Sequence, residues 1–350
     1  MRPKDMILEQ ISHRETETIP YTIWFEGDVQ ERLDAYYGGP QWRDRLTPYL
    51  EVVSIIEADA EVEIAPGFTQ DAFGSVWRKD VRPFHLETGG LAQPSFEGYD
   101  FPEPDHFIRE DLRPQVLKKC ERYGDSFLAA GFGFGLFERT WAIRGFQNAL
   151  IDAAAEPDFY EELLERIFRL HLAFIEALAI LPVDGILFSD DWGDQRGVII
   201  GPERWRRLIK PRLAKLYAAA HAAGKLTLSH CCGNIAEIMP DLIEIGLDVL
   251  ESIQPEAMNP YELKKRYGDK ITLWGGLGSQ STLAFGTPAE IKREVQRLCA
   301  EMGRGGGYIL APAKALQPDT STENAAAVIE SFTCQSLSGC DFFSRRGFDP

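Results

Sequence analysis

The chain has 350 residues, 44% of them hydrophobic, with 37 Lys and Arg against 54 Asp and Glu for a formal net charge of −17 at pH 7. That length buries a large core, as one sizeable α/β domain or two smaller ones. The charge argues against nucleic acid or an anionic membrane as the main partner, since both reward a basic face.

The N-terminal stretch "MRPKDMILEQISHRETE" lacks the apolar core of a signal peptide, and no window approaches about 18 uninterrupted apolar residues. A soluble, cytoplasmic protein is expected. No repeat, low-complexity tract or Ser/Gly-rich linker marks a boundary, so a single domain over 1–350 is the default. Eight short apolar runs then read as strands: "YTIWFE" (21–26), "EVEIAP" (61–66), "SFLAAGF" (126–132), "VDGILFSD" (183–190), "KLTLSH" (225–230), "LDVLES" (247–252), "ITLWGG" (271–276) and "GGYILAP" (306–312).

Helical patterns lie between most of them. In 156–181, Leu163, Ile167, Leu170, Phe174 and Leu178 recur at helical spacing behind Pro157 in the first turn. The segment 201–225 reads as a helix, or a broken pair, ending at Gly224, with Pro211 as the kink. The segment 286–303 opens on a Thr-Pro-x-Glu cap and carries Ile291, Val295 and Leu298 on one face. Alternating strands and helices predict an α/β fold, a (β/α)8 TIM barrel with an N-terminal extension. No G-x-G-x-x-G follows an early strand; "GFGFG" (131–135) has the wrong spacing for a dinucleotide site.

In such a barrel the residues just after each strand face one mouth, where the chemistry sits. Those positions are Glu26, Phe132, Asp190 with Asp191, His230 with Cys232, Glu251 with Gln254, Gly276 with Gln280, and Lys314. In "FSDDWGDQRG" (188–197) two carboxylates leave the strand together, followed by Trp192 and Gln195. Paired acids at a strand end can hold a cation, act as a base or bind a polar substrate; the plainer alternative is a helix cap beside a solvated acid. In "KLTLSHCCGN" (225–234), His230 and Cys232 form an H-x-C pair whose side chains leave extended backbone on the same side, as half a metal site requires. Cys231 is then expected to point away into packing. Asp190, Asp191 and Glu251 are the oxygens available to complete the site. The six cysteines, Cys120, Cys231, Cys232, Cys299, Cys334 and Cys340, have no disulfide spacing and read as reduced thiols.

Five stretches together resemble the uroporphyrinogen decarboxylase superfamily, in particular its corrinoid-dependent methyltransferase-like branch, to which the cobalamin:coenzyme M methyltransferases belong. They are "FERTWAIRGF" (137–146), "DDWGDQRGVIIGPERWRRLIKPRL" (190–213), "HAAGKLTLSHCCGNIAEIMPDLIEIGLDVLESIQPEAM" (221–258), "LWGGLGSQSTLAFGTPAEIKREV" (273–295) and "GGYILAPAKALQPDTSTEN" (306–324). The resemblance implies a single TIM barrel whose His230 and Cys232 bind Zn2+. Thiol-methylating members take a further cysteine from the loop after the last strand, where this chain has Lys314. True decarboxylases of the family carry R-x-A-G-R on the first strand, whereas "IPYTIWFEGDVQERL" (19–33) has Glu26 and no arginine before Arg32. A small substrate that is not strongly anionic is therefore expected.

The implied activity is methyl transfer between a small substrate or thiol and a corrinoid. Methylcobalamin would sit on a separate corrinoid protein, since no D-x-H-x-x-G sequence occurs here. In that scheme Asp190 or Asp191 is a third ligand or proton acceptor, Glu26 and Gln254 orient substrate, and Lys314 donates a proton if burial lowers its pKa. Trp24, Phe132, Trp141 and Trp192 wall the pocket with Gln195 nearby, and Arg139 binds a carboxylate or pairs with a loop acid. Two alternatives stay open: a metal-independent decarboxylase or lyase of a small organic acid, and a non-catalytic small-molecule-binding barrel. The tail 336–350 reads as a disordered end or a docking segment. Oligomeric state stays open.

Overall fold

The computed structural model describes residues 1–54, 61–108 and 110–335; Cys340 and the tail 336–350 lie outside them. The chain divides into two compact units, one formed by Glu51–Gly124 and Leu128–Asp248, the other by Met1–Leu50, Asp125–Phe127 and Val249–Pro350.

The first unit holds strands β1 (Leu50–Ser54), β2 (Val62–Ala65), β3 (Phe68–Gln70), β4 (Val76–Arg78), β5 (His85–Thr88), β6 (Phe127–Phe134), β7 (Gly185–Ser189) and β8 (Leu226–His230). Strands β1, β6, β7 and β8 lie side by side in that order. Strands β6, β7 and β8 pair in parallel, with Ala130 opposite Ile186 and Ser189 opposite His230. Parallel neighbours need crossovers, and helices supply them. Between β6 and β7 run Leu136–Arg144, Phe146–Ala155 and Pro157–Ala179; between β7 and β8 run Pro202–Leu208 and Lys210–Ala222. The break expected near Pro211 falls at Ile209. The longest helix buries Leu163, Leu164, Ile167, Leu170, Phe174 and Leu178, each contributing about 1.5–3 kcal/mol of transfer free energy.

Strand "EVEIAP" does not belong to the parallel sheet. It forms β2 of a separate antiparallel sheet, β2-β3-β4-β5, with every residue of β2 exposed. It reads as one of the eight short apolar runs of the barrel, but Val62 and Ile64 are both exposed. Trp77 of β4 is the buried anchor of this sheet, its indole N–H donating to Asp71 Oδ2 at 2.9 Å.

The second unit carries β9 (Val249–Ile253), β10 (Thr272–Leu277) and β11 (Tyr308–Pro312), parallel with β10 in the middle. Helices Pro260–Tyr267, Pro288–Met302 and Thr322–Thr333 follow the strands, each with a side-chain cap, from Asn259, Thr287 and Ser321. Thr287 and Glu290 form the expected capping box. Gly275 (φ +129°) lies so close to β9 that a Cβ would meet the Ile253 N at 2.6 Å. "YTIWFE" is extended but makes only isolated bridges, Tyr21 to Leu310 and Phe25 to Leu316. Between those bridges the neighbouring chain turns aside, with Ala313 N–H donating to Leu277 O. Among the described residues no helix is long and apolar enough to cross a membrane.

Candidate metal centre

The parallel pairing of β7 with β8 ends at Ser189 and His230, so the next residues of both strands leave the sheet together. Asp191, His230 and Cys232 then converge, with one ligand atom from each lying within 4.8 Å of the others. His230 Nε2 is 3.3 Å from Cys232 Sγ and 3.5 Å from Asp191 Oδ1. Ligands bound tetrahedrally to one zinc ion stand about 3.3–3.6 Å apart, given bonds near 2.0–2.3 Å. The three donors are imidazole, thiolate and carboxylate, a set that suits zinc, and all three are partly exposed. The residues present fit the ion that the sequence suggested.

The loops that carry them are fastened to each other. Asp190 N–H donates to His230 O at 3.0 Å, Cys232 N–H to Asp191 Oδ1 at 2.7 Å, and Asn234 N–H to Asp194 O at 2.7 Å. Two glycines permit the approach: a Cβ on Gly233 (φ +85°) would meet the Gly193 carbonyl at 2.5 Å. Cys231 faces the other way as expected. It is fully buried, accepts the Trp192 N–H at 3.3 Å, and burial pushes its thiol well above the ordinary range.

Consecutive acids Asp190 and Asp191 have different jobs because they point in different directions. Asp190 is 2% exposed and accepts from the Phe137 N–H (3.0 Å), the Glu138 N–H (2.7 Å) and the Trp192 indole N–H (2.7 Å). It caps the helix Leu136–Arg144 from another part of the chain, where the helix dipole also favours an anion. Burial pushes its carboxyl up to about 7, against those three hydrogen bonds. Trp192 is fully buried, packed on Trp205 at 5.5 Å, so it belongs to the core and not to a pocket wall. Phe132 is likewise buried against His171, Phe174 and Phe188.

Glu138, in the first turn of the capped helix, is a site residue that strand-end reasoning does not select. It is 8% exposed, and burial, followed by the charges of Asp191 and Asp190, raises its pKa well above the carboxylate range. The His230 ring and the Asp191 N–H act in the opposite direction. Its one sequence signal is an acid among the residues of "LFERTWAI", followed directly by Arg139 and Thr140.

The remaining predicted residues are divided between the two units. Arg139 is buried with its guanidinium over the rings of Phe73 (4.5 Å) and Phe134 (5.1 Å). Trp141 is half-buried against Trp77, Phe134 and Phe146, and Gln195 is exposed. In the second unit, Glu26 is half-buried with its N–H donating to Leu316 O, and Gln254 is buried just beyond β9. Trp24 packs on Trp274 at 5.5 Å. Lys314 is exposed, not buried as its expected role required.

The fold is of the α/β barrel type, and it gathers an acid, an imidazole and a thiol at two adjacent strand ends, a donor set that could hold a metal ion. The model of the uroporphyrinogen decarboxylase (URO-D) family matches residues 121–333, more than half of the chain, and the chain belongs to that family. It is 28% identical over 174 residues to the methylcobamide:CoM methyltransferase MtaA of Methanosarcina barkeri, covering 50% of this chain and 48% of that protein. It is 25% identical over 175 residues to the uroporphyrinogen decarboxylase of Thermus thermophilus, covering 50% and 48%. The chain thus spans about half the length of the curated relatives it matches. A methyltransferase from Methanosarcina mazei has a similar structure, with a TM-score of 0.67 and 20% identity over 95% of this chain and 98% of that one. That likeness shows the fold expected from the sequence.

Proposed function

We propose that the chain is a zinc-assisted methyltransferase that moves a methyl group between a small substrate or thiol and a corrinoid carried on a separate protein. The observation that carries this is the convergence of Asp191, His230 and Cys232 at the ends of β7 and β8. It stands in a family whose members include a methylcobamide:CoM methyltransferase.

His230 Nε2, Cys232 Sγ and Asp191 Oδ1 would hold the ion, leaving a fourth position for the substrate's sulfur or oxygen. Zinc there supplies Lewis acidity, which lowers the pKa of a thiol or polarises a methyl ether oxygen. The residues around it set the geometry. Cys232 N–H fixes the Asp191 carboxylate, and Asp190 keeps the Glu138 helix in place. Burial and two neighbouring acids raise the pKa of Glu138, so that when it carries its proton it can donate a hydrogen bond toward a substrate heteroatom.

The test is a spectrophotometric assay of zinc-loaded protein with methylcobalamin and a panel of small thiols, and with cob(I)alamin and methyl ethers in the opposite direction. The expected result is zinc-dependent change in the corrinoid spectrum, lost in Cys232→Ala. Zinc-loaded protein that leaves both corrinoid forms unchanged with every substrate would contradict the proposal. Decarboxylation of a small acid by zinc-free protein would point to the lyase instead.

A further inference from the structure

We propose that the first unit has a second binding site, an aromatic pocket on the antiparallel sheet, and that it takes a methylated ammonium group of the type R–N(CH3)3+. A cavity of about 410 Å3 opens there, lined in part by Trp77, Phe84, Glu87, Trp141 and Phe146. That volume suits a small molecule.

Three of the rings meet as adjoining walls. Trp77 and Trp141 have centroids 6.2 Å apart at 63°, and Trp141 and Phe146 are 6.2 Å apart at 71°. Rings set at such angles present faces and edges to one corner, and aromatic faces carry negative potential. A quaternary ammonium suits these walls because its methyl groups fill the apolar space while its charge, having no N–H to satisfy, is met by the ring faces. The protein's own cations already use this chemistry. Lys79 Nζ stands 5.6 Å from the Trp77 centroid and 5.1 Å from that of Phe84, and the Arg82 guanidinium lies 4.8 Å from Phe84. Lys79 is charge-paired with Glu61 at 2.8 Å, which limits its repulsion of an incoming cation.

Glu87 adds a full negative charge at the rim. Strands β4 and β5 pair Val76 with Thr88 but Trp77 with Leu86, so Glu87 is the extra residue of a β-bulge. Bulges re-aim side chains in this way beside binding sites. His85 also lines the pocket, with its Nε2 3.8 Å from Glu87 Oε2 and both side chains about half exposed. A neutral apolar ligand would gain from the rings but would itself offer nothing to offset the desolvation of Glu87, and an anion would be repelled. The ligand that matches both features has a positive charge under an apolar coat.

The pocket shares a helix with Glu138, since Trp141 lies one turn beyond it, about 4.5 Å along the axis. Its assignment does not rest on the methyltransferase reading, and it is tested on zinc-stripped protein. Isothermal titration with choline is compared with titration by 3,3-dimethylbutan-1-ol, the uncharged compound of the same shape. Saturable choline binding is expected, with the neutral compound at least about tenfold weaker. Glu87→Gln and Trp141→Leu are each expected to weaken choline about tenfold while keeping the parent's circular dichroism. Glu87 is exposed, so its variant tests the pocket without risk to the core. No saturable choline binding, equal affinity for the two compounds, or an unchanged affinity in Glu87→Gln would overturn the proposal.

Discussion

The Cys232 backbone N–H donates to Asp191 Oδ1 at 2.7 Å, and the same oxygen lies 3.5 Å from His230 Nε2. The loop that brings the thiol therefore also aims the acid, so the three donors are arranged by backbone before any ion arrives. Asp191→Asn keeps an acceptor for that N–H but loses the charge, whereas Asp191→Ala loses both. Zinc affinity measured by chelator competition should fall in both variants, about tenfold or more and further in Ala than in Asn. Parent affinity in both would remove Asp191 from the site.

Asp190 works through the helix it caps. Asp190→Ala strips acceptors from the N–H groups of Phe137, Glu138 and Trp192 in a buried setting. Unsatisfied buried donors cost about 1–3 kcal/mol, so urea unfolding should show a loss of that order. A variant as stable as the parent would mean that these N–H groups find other partners.

Residues at strand ends were legible in the sequence because β geometry is simple. The strands over 127–134, 185–189, 226–230, 249–253, 272–277 and 308–312 each overlap an apolar run, three of them extending a residue or two past its end. The period of two placed His230 and Cys232 on one side and Cys231 on the other. The same period could not say which of two adjacent acids joins the metal site, because Asp190 is committed to a helix 52 residues away in sequence. Glu138 and Trp192 take their roles from such tertiary contacts, and neither leaves a spacing signal. The run at 61–66 misled because a short apolar run marks a strand but not the sheet it joins. "LEVVS" (50–54) escaped that reading because Glu51 and Ser54 interrupt its apolar residues.

Close packing of the two site loops depends on Gly233. In Gly233→Ala the new methyl would meet the Gly193 carbonyl and the Asp194 O, all backbone, within 2.7 Å. Gly201 (φ +79°) has open space around it. Gly201→Ala should cost about 1 kcal/mol of backbone strain and leave zinc affinity unchanged. Gly233→Ala should cost more in thermal unfolding and weaken zinc in chelator competition. Equal behaviour of the two variants would contradict the packing described.

His171 predicts a pH effect away from the metal. It is 2% exposed beside Phe132, and burial, then the charge of Arg139, lower its pKa to about 3 from 6.5. Between those two values the unfolded chain binds a proton that the native state refuses. Stability from this group is therefore complete above pH 6.5 and is lost as pH falls toward 3, by up to about 1.4 kcal/mol per unit. His171→Leu should flatten that limb of the urea-derived stability profile, whatever its effect on absolute stability. An unchanged slope would show that His171 does not titrate as described.

The central claim is that Asp191, His230 and Cys232 form a metal site, and elemental analysis tests it most directly. Purified protein, beside His230→Ala and Cys232→Ala, is assayed for zinc after dialysis. Near one zinc per parent chain, with most of it lost from both variants, is the predicted result. A folded parent that retains no zinc after loading, or variants that keep the parent's full content, would contradict it.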